Sequence, residues 1–233
     1  TSSAASDVYK RQVPINTFID PIFPVENAII THAHADHAKP GHKNVLATKH
    51  TIKIMKIRYG ENCANNFQEL SFNSPLNVNG VKVTFFPAGH ILGSAQVLLE
   101  YQKDKINFTG DFKITKDDTC ENFRPVTCDT LVTEATFGLP IFQHPDPEVE
   151  INKLINSLKK FSNRPHLIGV YALGKAQRLI KLLRNKGYDE TIFIHGALEK
   201  ICDYYIQSGI NLGNLSKALI CLLYTSDAAD EVQ

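Results

Sequence analysis

No two cysteines of this chain stand in CxxC spacing. The five present (Cys63, Cys120, Cys128, Cys202 and Cys221) are odd in number and scattered, which argues against a disulfide framework and against a zinc ribbon. They read as reduced, mostly structural thiols. Long apolar runs are missing as well: none reaches the ~20 residues that span a bilayer. The chain does not open on a positively charged start followed by an apolar stretch, so no secretory signal is read. A cytoplasmic protein without membrane attachment is expected. With 21% charged residues, 11 prolines and 13 glycines, a largely disordered or fibrous chain is excluded. What remains is 233 residues, 43% of them hydrophobic, enough for one sizeable domain or one domain and part of another.

Negative charge is absent from one long segment. Residues 151–187 hold nine cationic side chains (Lys153, Lys159, Lys160, Arg164, Lys175, Arg178, Lys181, Arg184 and Lys186) and no Asp or Glu. Taking that +9 from a net charge of +1 leaves −8 for the rest. Such asymmetry suits a polyanionic partner for the basic segment, and equally a solvated helical surface. Lys175 and Arg178, just after Gly174, stand where a helix N-terminus could meet a phosphate.

Two ends look foreign. Residues 1–12 (TSSAASDVYKRQ) and 221–233 (CLLYTSDAADEVQ) resemble translated sequencing-adapter read-through and are set aside as non-native; the natural protein is then expected to continue past both. Between them, β-rich runs alternate with helical patterns. Residues 28–31, 81–86, 97–101, 105–109 and 130–133 read as strands bounded by Gly, Asn, Asp and Pro. Ile151, Leu154, Ile155 and Leu158 fall at helical spacing, and Ala176, Leu179, Ile180 and Leu183 repeat it. Strand-like runs at 166–173 and 191–195 frame the second helix, a βαβ pattern with a parallel sheet expected. The proline-broken stretch LPIFQHPD at 139–146 reads as a domain boundary.

The strongest chemical signal is His32-Ala33-His34-Ala35-Asp36-His37, a loop directly after the apolar strand at 28–31. Three imidazoles and a carboxylate within six positions, spaced by small alanines, supply the N and O ligands that Zn²⁺ and Mn²⁺ accept. Without a cation, so many ionisable groups crowded together would be costly to desolvate. Further ligands must come from elsewhere. His90 lies in PAGHILGSA, between glycines that permit close backbone approach, and Asp111 follows another apolar strand in TGD. Each alone is more often a turn residue; together with the first motif they become candidate ligands.

THAHADHA, PAGHILGSA, TGD and TEATFG, in this order, resemble the metal motifs of metallo-β-lactamase-fold nucleases of the β-CASP group. More narrowly, FIDPIFPVENAIITHAHADHAKPGH, FRPVTCDTLVTEATFGLP, YALGKAQRLI and IHGALE resemble bacterial ligase-associated DNA exonucleases, found beside an ATP-dependent DNA ligase and a DEXH-box helicase. The likeness spans nearly all of residues 16–215. It implies an α/β fold, the αββα sandwich of that superfamily with two mixed sheets over residues 13–145, and a partial β-CASP cap over residues 146–220. Substrate would lie in the cleft between them. It also implies a hydrolase with two divalent metal ions, Zn²⁺ first and Mn²⁺ as the alternative. His32, His34 and His90 would hold one ion, Asp36 and His37 the other, and Asp111 would bridge them. Asp20 would orient the ligand loop from behind, Asp36 would also hold the attacking water, and Glu134 would be the acidic partner of a histidine that protonates the leaving oxygen. Two cations suit a phosphodiester because they neutralise charge as an in-line attack develops.

The S-D-H-A-D-like and T-H-G-like segments that would carry that histidine and a last metal ligand do not appear. His195-Gly196 imitates the second but falls inside the cap and is read as structural. His42 is read as supporting the ligand loop, and His50, His144 and His166 as surface or packing residues. Three readings of function follow: a DNA exonuclease trimming ends for ligation in repair; an RNA-processing nuclease of the same fold; or a catalytically incomplete fragment that binds nucleic acid.

Overall fold

The computed structural model describes residues 16–218; both adapter-like ends, Cys221 among them, lie outside the described residues. The chain divides into two compact units, Thr1–His144 and Pro145–Gln233.

The first unit contains two sheets. One has the order β1 (Phe18–Ile19), β2 (Asn27–Ile29), β3 (His42–Ala47), β4 (Ala64–Glu69), and every pairing in it is parallel. The other runs β5 (Pro75–Val78), β6 (Val81–Pro87), β7 (Ala95–Tyr101), β8 (Asp104–Phe108), β9 (Thr130–Val132), antiparallel except for the last pair. Asn79 and Gly80, at φ +50° and +88°, make the tight β5–β6 turn that only such residues adopt cheaply. Ile19, Ile29 and Leu46 of the first sheet share one buried cluster with Val83, Phe85, Val97, Leu99 and Phe108 of the second. The sheets therefore pack face to face through the alternate positions of their strands.

Two features depart from the sequence-based expectation of two mixed sheets between helices. The first sheet is wholly parallel among the described residues. Its strands also tolerate polar side chains: Asn27, Asn44 and Asn66 stand in register and form an amide ladder, with Nδ2–H···Oδ1 distances of 2.9 Å at both steps. Only one helix of this unit is described, α1 (Lys49–Tyr59). In place of a helix on the outer face of the second sheet runs the irregular segment after Asp111. Gln96, buried on that face, donates to the carbonyls of Pro87 (3.0 Å) and Arg124 (2.7 Å) and accepts from Asn107 (3.0 Å). A polar outer face satisfied by loop carbonyls needs no apolar helical stripe above it.

Local chemistry sets the ends of α1. The Thr48 hydroxyl accepts from Thr51 N, and Gly60 at φ +92° closes the last turn onto Lys56 O. In the second unit, α2 (Pro147–Lys160) starts on Asp146 with Pro147 and Glu148 in its first turn and ends on Lys159 and Lys160, the order that the helix dipole favours. α3 (Lys175–Asn185) follows, then β10 (Ile192–Ile194), α4 (Gly196–Gln207) and β11 (Leu215–Lys217). The expected strand at 166–173 does not form. Leu167, Ile168 and Tyr171 are exposed there, so the run has no buried face to align it. The βαβ unit lies one element later, as β10, α4 and β11, paired in parallel.

Arg184 holds that unit together. Its guanidinium donates to four backbone carbonyls, those of Tyr188 (2.5 Å), Glu190 (2.7 Å), Leu212 (2.9 Å) and Asn214 (2.9 Å). Arg184→Met keeps most of the stem but strands these carbonyls. We expect it to lower stability by about 2–4 kcal/mol, measured by urea denaturation, whereas Lys181→Met on the same helix should change it by less than about 0.5 kcal/mol.

Candidate metal centre

Three chain segments leave neighbouring strand ends and converge. The loop His32–His37 follows β2, the loop carrying His90 joins β6 to β7, and Asp111 follows β8. Ala95 N donates to Thr31 O at 2.9 Å and so ties the two sheets beside the site. Gly110, at φ +54°, passes so close that a Cβ would meet the Thr31 hydroxyl at 2.8 Å. Serine 94 shapes the His90 loop, its Oγ accepting from the amides of His90 (3.0 Å) and Ile91 (3.1 Å).

One carboxylate orients two imidazoles. Asp20 takes a left-handed backbone (φ +45°), tolerable for Asp, and accepts from Thr31 N (2.8 Å), the Thr31 hydroxyl (2.6 Å) and His37 Nδ1 (2.8 Å). Because the hydroxyl proton goes to Asp20, Thr31 Oγ1 is left to accept from His32 Nδ1, 3.1 Å away. Both His32 and His37 thus carry a proton on Nδ1 and turn Nε2 into the site, the tautomer that a ligating imidazole needs.

The inward-facing atoms lie close together. His34 Nδ1 is 3.1 Å from His32 Nε2 and 3.1 Å from His90 Nε2. Asp111 sits across from them, its oxygens 3.3 Å from His37 Nε2, 3.6 Å from His90 Nε2 and 3.8 Å from His32 Nε2. His32, His34, His90 and Asp111 each offer an atom within 4.8 Å of the others, as do Asp20, His32 and His37. We read the second trio as a hydrogen-bonded relay and not as a ligand shell, since the nitrogen of His37 that meets Asp20 is already donating its proton there.

The electrostatics match a cation site. Burial, reinforced by its imidazole neighbours, pushes His32 well below the ordinary histidine range. His90 falls to about 4, through burial first and then the nearby His34. Both are therefore neutral at pH 7, with lone pairs available. His37 is the opposite: burial works against its charge, yet hydrogen bonds to Asp111 and Asp20 outweigh it and raise the group to about 10. Asp111 is held below the usual carboxylate range because His37 and the other imidazoles overcome the effect of burial. Two carboxylates that retain a proton on His37 Nε2 would equally favour a divalent cation in its place. Neutral imidazoles, a carboxylate and a supporting carboxylate behind them are donors of the kind that divalent cations accept, so the residues fit a metal ion.

Other residues singled out in the sequence lie as follows. Asp36 is at the rim, its side chain 79% exposed and 3.7 Å from His37 Nε2. Glu134 accepts from Phe112 N at 3.1 Å, next to Asp111, and from the Thr136 hydroxyl at 2.6 Å. His42 opens β3, fully buried, and accepts from Val25 N at 3.2 Å. His195 caps α4, its Nδ1 accepting from Ala197 N. Lys175 and Arg178 belong to the second unit. The Lys175 ammonium lies over the Tyr171 ring at 5.0 Å. At that helix start, Gly174 N already donates to the buried Gln177 side chain and Ala176 N to Tyr171 O, leaving fewer amides for a phosphate. The basic segment is also partly neutralised from just outside its bounds, Lys186 by Glu148 (2.8 Å) and Lys153 by Glu150 (2.6 Å). Sequence reasoning missed Arg58, whose guanidinium donates to Ala33 O at 2.6 Å between two candidate ligands; nothing in KIRYG separates it from an ordinary helix-surface arginine.

No family model matches the chain. It is similar to a protein named probable DNA ligase from Opitutus terrae, 29% identical over 201 residues, which cover 83% of this chain and 19% of that one. It is also similar to endoribonuclease ysh1 of Aspergillus fumigatus, 36% identical over 144 residues, 60% of this chain and 16% of that one. A third relative is cleavage and polyadenylation specificity factor subunit 3 of Dictyostelium discoideum, 32% identical over 173 residues, 70% of this chain and 20% of that one. The chain thus spans about a fifth of the length of these curated relatives. Among solved structures, a protein of unknown function from Enterococcus faecalis V583 shares the fold, with a TM-score of 0.58 at 15% identity over 86% of this chain and 52% of that one. By sequence, then, the chain is a low-identity relative of proteins named as endoribonucleases and of one named as a probable DNA ligase.

Proposed function

We propose that this chain carries the metal-binding core of a hydrolase that cleaves phosphodiester bonds in nucleic acid. In this reading the first unit is a metallo-β-lactamase-type sandwich and the second is part of a β-CASP cap. The observation that carries it is the meeting of His32, His34, His90 and Asp111 within 4.8 Å, with Asp20 fixing the tautomers of His32 and His37 from behind. His32, His34, His90 and Asp111 would hold one divalent ion, and His37 with Asp36 and the shared Asp111 a second. When bound, such a pair supplies Lewis acidity toward the phosphoryl group and acidifies water. The chain's own groups do the rest. Asp36, at the exposed rim, would accept a proton from an attacking water, and Glu134 would hold a donor beside the leaving oxygen.

Two substrate assignments have support. DNA ends, processed beside a ligase, are favoured by the relative named as a probable DNA ligase, which matches across most of the chain. RNA is favoured at least as strongly by the relatives named as endoribonucleases. Matched DNA and RNA oligonucleotides, given to a protein of its relatives' full length with Zn²⁺ or Mn²⁺, separate the two. Hydrolysis of one substrate at least about a hundredfold faster identifies it, and hydrolysis of neither, with zinc bound, overturns the nuclease reading. Association with an ATP-dependent ligase and a DEXH-box helicase belongs to the DNA assignment and stands or falls with it.

A further inference from the structure

Helix α1 touches both ligand loops, one from each end. At its start the hydroxyls of Thr48 and Thr51 donate to Gly93 O at 2.7 and 3.1 Å, in the loop that presents His90. Gly93 is pressed against the helix there: at φ +80°, a Cβ would meet His50 Cβ at 2.5 Å and Thr51 N at 3.0 Å. At its end Arg58 reaches back to Ala33 O at 2.6 Å. Ala33 is fully buried between His32 and His34. The loop is not part of a ladder; its own backbone bonds run from the amides of His37 and Ala38 to His34 O, at 3.2 and 2.8 Å. The Ala33 carbonyl therefore depends on this guanidinium for its partner, and a charge-assisted bond is the strong kind.

We propose that α1 is a brace for the metal centre, with Arg58 a positioning residue that fixes His32 and His34 through the Ala33 carbonyl while Thr48 and Thr51 fix the His90 loop through Gly93. Over its 11 residues an α-helix is about 16 Å long. A rod of that length, tied at both ends, sets the distance between ligands drawn from two different sheets. Arg58 itself is exposed, so its replacement removes the tie without opening a cavity. The inference rests on the metal reading above, and the test separates the two.

Zinc affinity of this chain is measured by competition with a chromophoric chelator for wild type, Arg58→Met and Arg58→Lys, alongside metal-free melting curves and amide exchange. Support requires zinc affinity about tenfold weaker in Arg58→Met and within about threefold of wild type in Arg58→Lys. It also requires metal-free melting lowered by no more than the roughly 2–6 °C that one stranded carbonyl costs, and exchange at His37 and Ala38 at least about tenfold faster in Arg58→Met. Affinity within about twofold of wild type in Arg58→Met, or an equal loss in Arg58→Lys, overturns the brace and leaves the metal centre standing. A large fall in metal-free melting makes Arg58 merely structural and also overturns it. A wild type that takes up no zinc, with unchanged exchange in Arg58→Met, overturns both.

Discussion

Replacing His34 by alanine is expected to weaken zinc binding several hundredfold while leaving the metal-free fold intact. His34 is the hub of the cluster, 3.1 Å from the inward nitrogens of both His32 and His90. A four-ligand zinc site contributes roughly 10–16 kcal/mol in all, so one ligand's share is about 3–4 kcal/mol, on the order of several hundredfold in Kd. Stability without metal should not fall, since the variant removes one of several imidazoles that compete for lone pairs and protons in a small space. Calorimetric titration with zinc and thermal melting in chelator are the measurements. Unchanged affinity would remove His34 from the ligand set; a melting temperature lowered by more than about 5 °C in chelator would make the cluster a folding element first.

Gly89→Ala is expected to be the most damaging methyl group that can be added near the site. The residue sits at φ +71°, and a Cβ would meet Lys113 O at 2.3 Å and Phe123 N at 2.9 Å. Both are backbone atoms, which cannot rotate out of the way. The left-handed conformation costs about 1–2 kcal/mol for a side chain, and overpacking about 1–3 kcal/mol more, together about 3 kcal/mol. For a domain of this size that is roughly 6–12 °C in Tm. Gly80→Ala is the control. It shares a positive φ, +88°, but has nothing within 4 Å, so it should lose only the conformational part. Urea midpoints of the two variants give the contact energy by difference, and equal losses would refute the close approach. Because Gly89 precedes His90, the damaged variant should also bind zinc less tightly.

The legible parts of this chain are those where one force acts alone. The His32–His37 loop is readable because so many ligand-type side chains within six positions are rare by chance, and β6 and β7 because alternate residues face one apolar core. Segments where two demands compete are illegible to a local pattern. In β3 and β4, Asn44 and Asn66 break the apolar pattern, yet their amides satisfy each other across the strands, a cross-strand pairing invisible to a local window. Helix α1 is hard to read locally because KHTIKIMKIRY spreads cations around it, and only four residues (Thr51, Ile52, Ile54 and Met55) are buried. At 166–173 the local pattern points the other way. Leu167, Ile168 and Tyr171 suggest a strand, but burial depends on what lies opposite, and they are exposed. Asp20, Asp111 and His90 enter the candidate site through motif order, since spacing alone does not single them out.

The candidate ligands come from both sheets: the loop after β2 leaves the parallel sheet, and His90 and Asp111 leave the second one. An ion held among them would be a rivet through two plates that otherwise adhere by a shared apolar cluster and a few hydrogen bonds such as Ala95 N to Thr31 O. Mass action then links cation supply to mechanical integrity, at about 1.4 kcal/mol for each tenfold rise in free zinc above Kd. Starvation for metal would loosen the seam between the plates before it unravelled either of them.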